Sequence, residues 1–198
     1  MLDYSDVQYW NRRYSKDPSL FDWLLDYTNN NTFRETLTQK IPSKQSNILI
    51  TGTGLSRLPF QLYKAGYTSI AAIDYSSTCI STLKEQKHAR NITFRQVDLK
   101  SPFNDLARES YDVAIDKAML DSQFCSSRAS ETAPLILSNI HSLLSPNGIF
   151  ISLSFVEPGE RTPLFSQKKW KVEVVEIPRE DSGNFYCYIA EKKEVEDD

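Results

Sequence analysis

Short apolar runs alternate with amphipathic helical patterns through the middle of the chain, and this alternation restricts the possible folds more than any other feature. Several runs are continuously apolar, as expected of parallel strands that are covered on both faces. The predicted strands are residues 47–51, 70–73, 92–97, 112–115 and 149–155. The pattern therefore predicts an α/β fold with a doubly wound, right-handed and mostly parallel sheet.

Helical periodicity fills the gaps between these strands. Apolar residues recur at helical spacing after residue 54, around residues 80–87 and over residues 136–144, before Pro146 and Gly148 end the last helix. Pro59 falls in a first helical turn, where its missing N–H does no harm. Residues 4–16 and 32–40 also have a helical pattern, which predicts a helical cap ahead of the first strand.

The alternation of strand and helix patterns ends in the C-terminal part of the chain. Residues 169–178 and 184–193 are two strand-like runs that are separated only by a short "REDSG" turn. No helix fits between them, so they predict an antiparallel hairpin at the end of the sheet. We therefore expect a single domain over residues 1–198. Its predicted parts are a cap or lid (1–45), a ligand-binding core (46–155), the hairpin segment (156–193) and a charged tail (194–198).

Composition excludes several function classes. The net charge of −3 over 198 residues provides no strong basic field, so we expect no nucleic-acid partner. Nowhere do about 18 apolar residues follow one another, so we expect no membrane span. The three cysteines and two histidines are scattered, which predicts neither a metal site nor a disulfide framework. A reducing cytoplasmic setting, or a nuclear one, fits this composition best.

A glycine turn joins the first predicted strand to the helix after it, in the stretch "ILITGTGLSRLPFQLYKAG". Gly52 and Gly54 let backbone N–H groups approach a ligand closely. Dinucleotides and S-adenosylmethionine both bind at such a turn. The dinucleotide pattern G-x-G-x-x-G requires a third glycine where this chain has Arg57. The turn therefore favours an adenosine ligand without a pyrophosphate.

Two carboxylates follow the next two strands. Asp74 ends the second strand, 20 residues after Gly54, where a carboxylate can accept hydrogen bonds from both ribose hydroxyls. Asp98 ends the third strand, where it can accept a hydrogen bond from the adenine amine while Leu99 offers its N–H to the ring. Either aspartate alone could be a helix cap or a turn residue. Together with the glycine turn, they predict an adenosine-type cofactor site at the carboxyl ends of adjacent strands.

Five motifs in the chain resemble those of one enzyme group. They are "QYWNRRY" (8–14), "FDWL" (21–24), "AIDYSS" (72–77), "QVDL" (96–99) and "YDVAIDKAMLD" (111–121). The chain resembles the class I, seven-strand, Rossmann-like S-adenosylmethionine-dependent methyltransferases of the methyltransferase-like family. Within that family it is most similar to enzymes that methylate lysines of translation elongation factor 1-alpha. The resemblance reaches from the N-terminal motif to about residue 155.

The resemblance implies S-adenosylmethionine as the cofactor and a specific set of contacts. Trp10 and Tyr14, spaced for one helix face, could equally pack on the core, and we expect both roles together. Lys117 is expected beside the methionine portion of the cofactor. The implied cofactor-binding residues are Trp10, Tyr14, Gly52, Gly54, Asp74, Tyr75, Asp98, Leu99 and Lys117.

The chain also departs from the family pattern. Phe21 stands where relatives usually have Tyr, and the turn is Gly-Thr-Gly instead of Gly-Cys-Gly. The fourth motif begins with Asp116 in place of Glu and continues as Lys-Ala-Met in place of Lys-Gly-Thr. The segment after the fifth strand is short. These changes leave cofactor binding plausible but bear on the identity of the substrate.

The leading hypothesis is methyl transfer to a protein lysine, with elongation factor 1-alpha as a possible protein substrate. Because the amine must be neutral to attack, a carboxylate near the methyl group is useful, either as base or for orientation. Asp116 is the first candidate and Asp121 the second. Two alternatives stay open. The chain could methylate a small molecule or a nucleic acid, or it could be a noncatalytic binding module with the same fold.

Overall fold

Seven strands form one sheet in the computed structural model, which describes residues 3–102, 106–165, 170–179 and 181–193. The strands are β1 (Asn47–Thr51), β2 (Ser69–Asp74), β3 (Thr93–Gln96), β4 (Tyr111–Lys117), β5 (Leu144–Ser154), β6 (Trp170–Pro178) and β7 (Asn184–Lys192). Their order across the sheet is β3-β2-β1-β4-β5-β7-β6. The first five strands are parallel, and β7 pairs antiparallel with both β5 and β6. This arrangement confirms the predicted fold class and the C-terminal hairpin.

Helices connect the strands and cover the sheet. They are α1 (Val7–Lys16), α2 (Asn31–Lys40), α3 (Leu58–Lys64), α4 (Ser77–Lys84), α5 (Met119–Gln123), α6 (Ala129–Leu143) and α7 (Pro158–Arg161). Two short 3₁₀ helices lie at Ala89–Asn91, after α4, and at Thr162–Phe165, after α7. None of the helices that the structure describes is both long and apolar enough to span a membrane.

Local side chains set where several helices begin. The carboxylate of Asp6 accepts a hydrogen bond from the Gln8 N–H and starts α1 there, three residues later than the sequence pattern predicts. Asn30 and Ser76 cap α2 and α4 in the same way. The helix after the glycine turn begins at Leu58, since Gly52 and Gly54 hold the chain in a left-handed conformation first.

The sheet buries apolar residues on both faces, as the continuous apolar runs predict. Successive residues of β1 alternate between two core clusters: Ile48 and Ile50 lie in one and Leu49 lies in the other. The cap helices α1 and α2, with α3 and α4, pack on the first face. Helix α6 and the 3₁₀ turn ending at Phe165 pack on the second face. The predicted tail, 194–198, lies outside the described residues.

Candidate active site

A cavity of about 290 Å³ opens at the carboxyl ends of the parallel strands. The loops after β1 to β5 form its floor, and the N-terminal segment forms its outer wall. Every predicted cofactor-binding residue lies on its lining, and so does Asp121. The predicted residues that line it are Trp10, Tyr14, Gly52, Gly54, Asp74, Tyr75, Asp98, Leu99, Lys117 and Asp121. Asp116 alone among the predicted residues is not part of the lining.

The glycine turn needs both of its glycines. Gly52 and Gly54 have φ angles of +54° and +50°, a region in which other residues are strained. A Cβ on Gly52 would lie 2.2 Å from the Cγ of Met119. A Cβ on Gly54 would lie 3.0 Å from the hydroxyl of Tyr14. The backbone can therefore approach a ligand here only because side chains are missing from both positions.

Asp74 uses part of its hydrogen-bonding capacity to fix this turn. Its Oδ2 accepts a hydrogen bond from the Gly54 N–H and its Oδ1 accepts one from the Ser76 N–H, both at 2.9 Å. Since Ser76 is the residue that caps α4, Asp74 is not the helix cap. Burial raises the pKa of Asp74 to about 6, although both backbone bonds favour the ionised form. Each oxygen keeps a lone pair that a ribose hydroxyl can occupy.

The next strand end supplies a second polar edge. Asp98 accepts a hydrogen bond from the Lys100 N–H at 2.9 Å, so it is a turn residue that also lines the cavity. The Leu99 carbonyl accepts a hydrogen bond from the Asn139 side chain at 2.7 Å. The Tyr75 ring faces the ammonium of Lys100, which lies 4.9 Å from its centroid. These contacts hold the segment after β3 against the cavity.

Aromatic residues of the N-terminal segment form the outer wall. The Trp10 ring stacks on Tyr14 at 5.5 Å, and the Trp10 indole N–H donates to the Tyr4 carbonyl at 2.7 Å. Trp23 meets Trp10 edge to face at 6.1 Å. Trp10 and Tyr14 are buried in the core cluster and line the cavity too. Their packing role is therefore confirmed, and their contact with a cofactor stays a prediction.

Lys117 lines the cavity, and its ammonium also holds the N-terminal segment in place. Its ammonium donates to Asp22 Oδ1 at 2.8 Å, to the Trp23 carbonyl at 2.9 Å and to the Leu25 carbonyl at 3.2 Å. An ammonium has three donors, and these three bonds use all of them. The position of Lys117 beside the methionine portion of a cofactor stays a prediction. We call residues 20–25 the strap. Lys117 lines the cavity with its stem while its ammonium holds the strap in place.

Asp22 completes the attachment of the strap, and sequence reasoning did not select it. Its carboxylate also accepts a hydrogen bond from the Ser56 hydroxyl at 2.5 Å and pairs with the Arg57 guanidinium at 3.2 Å. The Phe21 N–H donates to the Leu55 carbonyl at 2.9 Å. The "FDWL" motif was the available signal, because it places a carboxylate between large apolar side chains.

Asp116 lies outside the cavity lining, so the structure does not place it where the sequence predicts an acceptor amine. The side chain is fully buried; one oxygen accepts a hydrogen bond from the Met119 N–H and the other from the Ser152 hydroxyl, both at 2.7 Å. These bonds hold the turn at Ala118, where φ is +69°, and fix the start of α5. Burial and the nearby charge of Asp121 raise the pKa of Asp116 to about 7.

Asp121 lies on the cavity lining, and a buried arginine holds it there. Its Oδ1 accepts hydrogen bonds from the Ser154 hydroxyl at 2.6 Å and from Nη2 of Arg161. Its Oδ2 accepts only a longer bond, 3.3 Å, from the Phe155 N–H. Arg161 was missed from the sequence because a charged residue just after a strand is usually exposed and α7 is too short for a periodic pattern.

The unsatisfied polar atoms of the cavity show what kind of ligand fits. Three buried oxygens on its lining have no hydrogen-bond partner among the described residues: Thr53 Oγ1, Tyr75 Oη and Gln123 Oε1. Buried polar atoms of this kind normally have a partner, so they point to a polar ligand. Three carboxylates line the cavity. Of the two lysines on its lining, Lys117 is bonded to the strap and Lys100 donates to the Ser5 carbonyl at 3.3 Å. The site therefore fits a nucleoside bearing a positive charge better than a pyrophosphate.

Comparison with known proteins agrees with this reading of the cavity. A family model described as "Methyltransferase domain" matches residues 42–194. The chain is 26% identical to EEF1A lysine methyltransferase 4 of Mus musculus over 202 residues, covering 96% of this chain and 77% of that protein. The Bos taurus protein of the same name is 25% identical, with coverages of 96% and 76%.

Solved structures share the fold at lower identity. The 1,6-didemethyltoxoflavin-N1-methyltransferase of Burkholderia thailandensis, solved with bound S-adenosylhomocysteine, superposes with a TM-score of 0.66 at 16% identity. The alignment covers 96% of this chain and 87% of that one. The glycine turn, the Asp74 carboxylate and the unsatisfied oxygens all fit S-adenosylmethionine as the cofactor. The chain therefore belongs to the methyltransferase domain family and is an S-adenosylmethionine-dependent methyltransferase.

Proposed function

We propose that this methyltransferase acts on a lysine side chain of a protein, and that elongation factor 1-alpha is the first substrate to test. The observation that carries the proposal is the Asp121 carboxylate, which lies on the cavity lining and is held there by an ion pair. The names of the mouse and bovine relatives support it, since both are called EEF1A lysine methyltransferases.

The order of the strands indicates which end of the cavity would hold the adenosine and which end would receive the acceptor. Strands β3, β2, β1 and β4 are consecutive neighbours in the sheet. At or just after their carboxyl ends lie, in that order, Asp98, Asp74, Gly52 and Asp121. Neighbouring strands are about 4.8 Å apart, so the floor of the cavity extends by roughly 14 Å from the β3 end to the β4 end. Ribose and adenine would lie toward β2 and β3, and the acceptor would enter where Asp121 and Phe155 follow β4 and β5.

Methyl transfer requires the protein mainly to place the acceptor amine against the methyl group. When bound, S-adenosylmethionine supplies a methyl group on a sulfonium, which is already electrophilic. Free lysine has a pKa of about 10.4, so the protein must favour its neutral amine by excluding water or by taking up the proton. Asp121 can accept a hydrogen bond from the incoming ammonium, orient it and receive its proton.

The rim of the acceptor end suits a lysine side chain. Trp23 and Phe155 line the cavity and yet are 42% and 54% exposed, which is unusual for large aromatic residues. Aromatic faces attract ammonium groups, and their apolar surface can pack against the methylene stem of lysine. We therefore expect the acceptor to pass between these two rings on its way to Asp121.

The test is methylation of proteins in a cell extract by the purified protein, with isotopically labelled S-adenosylmethionine and mass spectrometry of the products. We expect label on lysine, with elongation factor 1-alpha among the modified proteins. Asp121→Asn is expected to lower the rate while binding of S-adenosylhomocysteine persists. Asp181→Asn is the matched control, because that aspartate forms an exposed ion pair with Arg179. Labelled product without modified lysine would contradict the proposal, and binding without any transfer would indicate a noncatalytic module.

A further inference from the structure

The ion pair between Arg161 and Asp121 is buried on both sides. The exposed fractions of the two side chains are 1% and 4%. Arg161 stands in α7, directly after β5, and Asp121 stands in α5, directly after β4. Nη2 of Arg161 also donates to the Ser154 hydroxyl at 3.1 Å, and that hydroxyl donates to Asp121 Oδ1. The three side chains form a closed set in which one carboxylate oxygen is fully occupied.

This ion pair is poorly explained as a device for stability alone. Nε and Nη1 of Arg161 are buried and have no hydrogen-bond partner among the described residues. The Phe124 ring covers the guanidinium, with its centroid 4.8 Å from Cζ. Burying a guanidinium with two unused donors is expensive, and apolar residues of similar size often replace buried ion pairs without loss of stability. A role in presenting Asp121 to the cavity accounts for its presence.

The other charged and titratable groups near Asp121 show why Arg161 matters for keeping this carboxylate ionised. Asp116 on β4 interacts unfavourably with the Asp121 charge, and Tyr188 on β7 lies close enough to interact with it as well. Glu157, at the start of α7, acts on the same Tyr188. Burial raises the pKa of Asp121 and the Arg161 charge opposes that rise. Arg161 is the cation in this group, so its removal would favour the protonated form of Asp121.

We propose that Arg161 is a positioning residue for methyl transfer: with Ser154 it binds Asp121 Oδ1 and leaves Oδ2 as the acceptor for the incoming amine. This inference rests on the proposed function, because it assigns the amine to the Asp121 end of the cavity. Arg161 is not part of the cavity lining and acts only through Asp121.

The experiment compares Arg161→Gln, Arg161→Lys and the control Arg179→Gln, whose arginine forms an exposed ion pair with Asp181. For Arg161→Gln we expect kcat to fall by at least about tenfold with the KM for S-adenosylmethionine little changed. The acid limb of the kcat–pH profile should move to higher pH, since loss of the cation raises the pKa of Asp121. Arg161→Lys should restore part of the rate, and Arg179→Gln should match the wild type.

A purely structural role gives a different result. The double variant Asp121→Asn/Arg161→Met removes both charges and is expected to regain stability over Arg161→Met alone. It should stay inactive if Asp121 is the group that Arg161 serves. A double variant with the wild-type rate, or an Arg161→Gln profile whose acid limb does not move, would overturn the inference.

A second readout separates this inference from the proposed function. NMR titration of ¹³C-labelled aspartate follows the Asp121 carboxyl directly and needs no acceptor protein. We expect its pKa to be higher in Arg161→Gln than in the wild type. Equal values in the two proteins would overturn the inference whatever the substrate is. If the wild type modifies no protein lysine, the proposed function fails even where the titrations differ.

Discussion

Replacing Lys117 by Met tests whether the strap depends on a single buried ammonium. The side chains of Lys117 and Asp22 are 5% and 4% exposed, so the substitution leaves a buried carboxylate and two backbone carbonyls without their donor. Breaking a buried ion pair from one side usually destabilises a protein by about 3–5 kcal/mol. Asp22 keeps the Ser56 hydroxyl and Arg57, and burial already lowers the pKa of Lys117. We therefore expect the lower end, about 3 kcal/mol.

Urea denaturation measures this loss, and calorimetry with S-adenosylhomocysteine measures its effect on the cavity. Since the strap carries Phe21 and Trp23 of the outer wall, we expect affinity to fall by about tenfold or more, or 1.4 kcal/mol. Lys171→Met is the matched control. It removes an exposed ion pair with Glu191, with exposed fractions of 75% and 45%, and should change stability by less than about 0.5 kcal/mol.

Two outcomes would contradict the role assigned to Lys117. Equal losses of stability in Lys117→Met and Lys171→Met would mean that the buried ammonium of Lys117 stabilises the fold no more than an exposed one does. Unchanged affinity for S-adenosylhomocysteine would mean that the strap is not part of the binding wall. A double-mutant cycle with Asp22→Asn isolates the pair itself, and we expect a coupling energy of at least about 1 kcal/mol.

Three further predictions concern the cavity floor. Gly52→Ala should destabilise the protein by about 3 kcal/mol in urea denaturation and abolish cofactor binding, because the added methyl group meets Met119. The control Gly183→Ala, also at positive φ but in open space, should lose only about 1 kcal/mol. The pKa of Asp74 is raised to about 6 from 3.8, so this carboxyl makes the cofactor-free protein lose on the order of 3 kcal/mol of stability as pH rises from about 4 to 6. Asp116 adds a slope of the same sign, so Asp74→Asn should show a smaller slope than the wild type, not a flat one, in denaturation at several pH values. Cys125 is the one exposed cysteine among the described residues, and it lines the cavity. Thiol alkylation followed by mass spectrometry should therefore find Cys125 modified first, and bound S-adenosylhomocysteine should slow its modification.

Sequence patterns predicted the sheet well because its signals are local. Ile48, Leu49 and Ile50 form a continuous apolar run, and only a strand covered on both faces uses all three. The glycine turn and the two strand-end carboxylates were equally readable, since a parallel sheet brings successive strand ends together. The short helices α5 and α7 were not predicted, because four or five residues are too few for a helical period to show.

The contacts that sequence reasoning could not assign join residues far apart along the chain. Lys117 lies 95 residues from Asp22, and Asp121 lies 40 residues from Arg161. A motif identifies the lysine at the end of β4, but the partners of its three donors are known only when the strap is in place. Likewise, which of Asp116 and Asp121 faces the cavity depends on the turn at Ala118, whose positive φ no sequence pattern indicated.

The wall of the cavity consists of residues that precede the sheet in the chain. Helix α1 packs beside α4, and the strap is attached through Lys117, so neither has its native contacts when synthesis has reached only residue 40. Chains grow at about 5–20 residues per second, so α1 and the strap stay without the surface they pack on for several seconds. Nascent chains stalled before and after residue 117 should therefore differ sharply in how fast a protease cuts near Trp23.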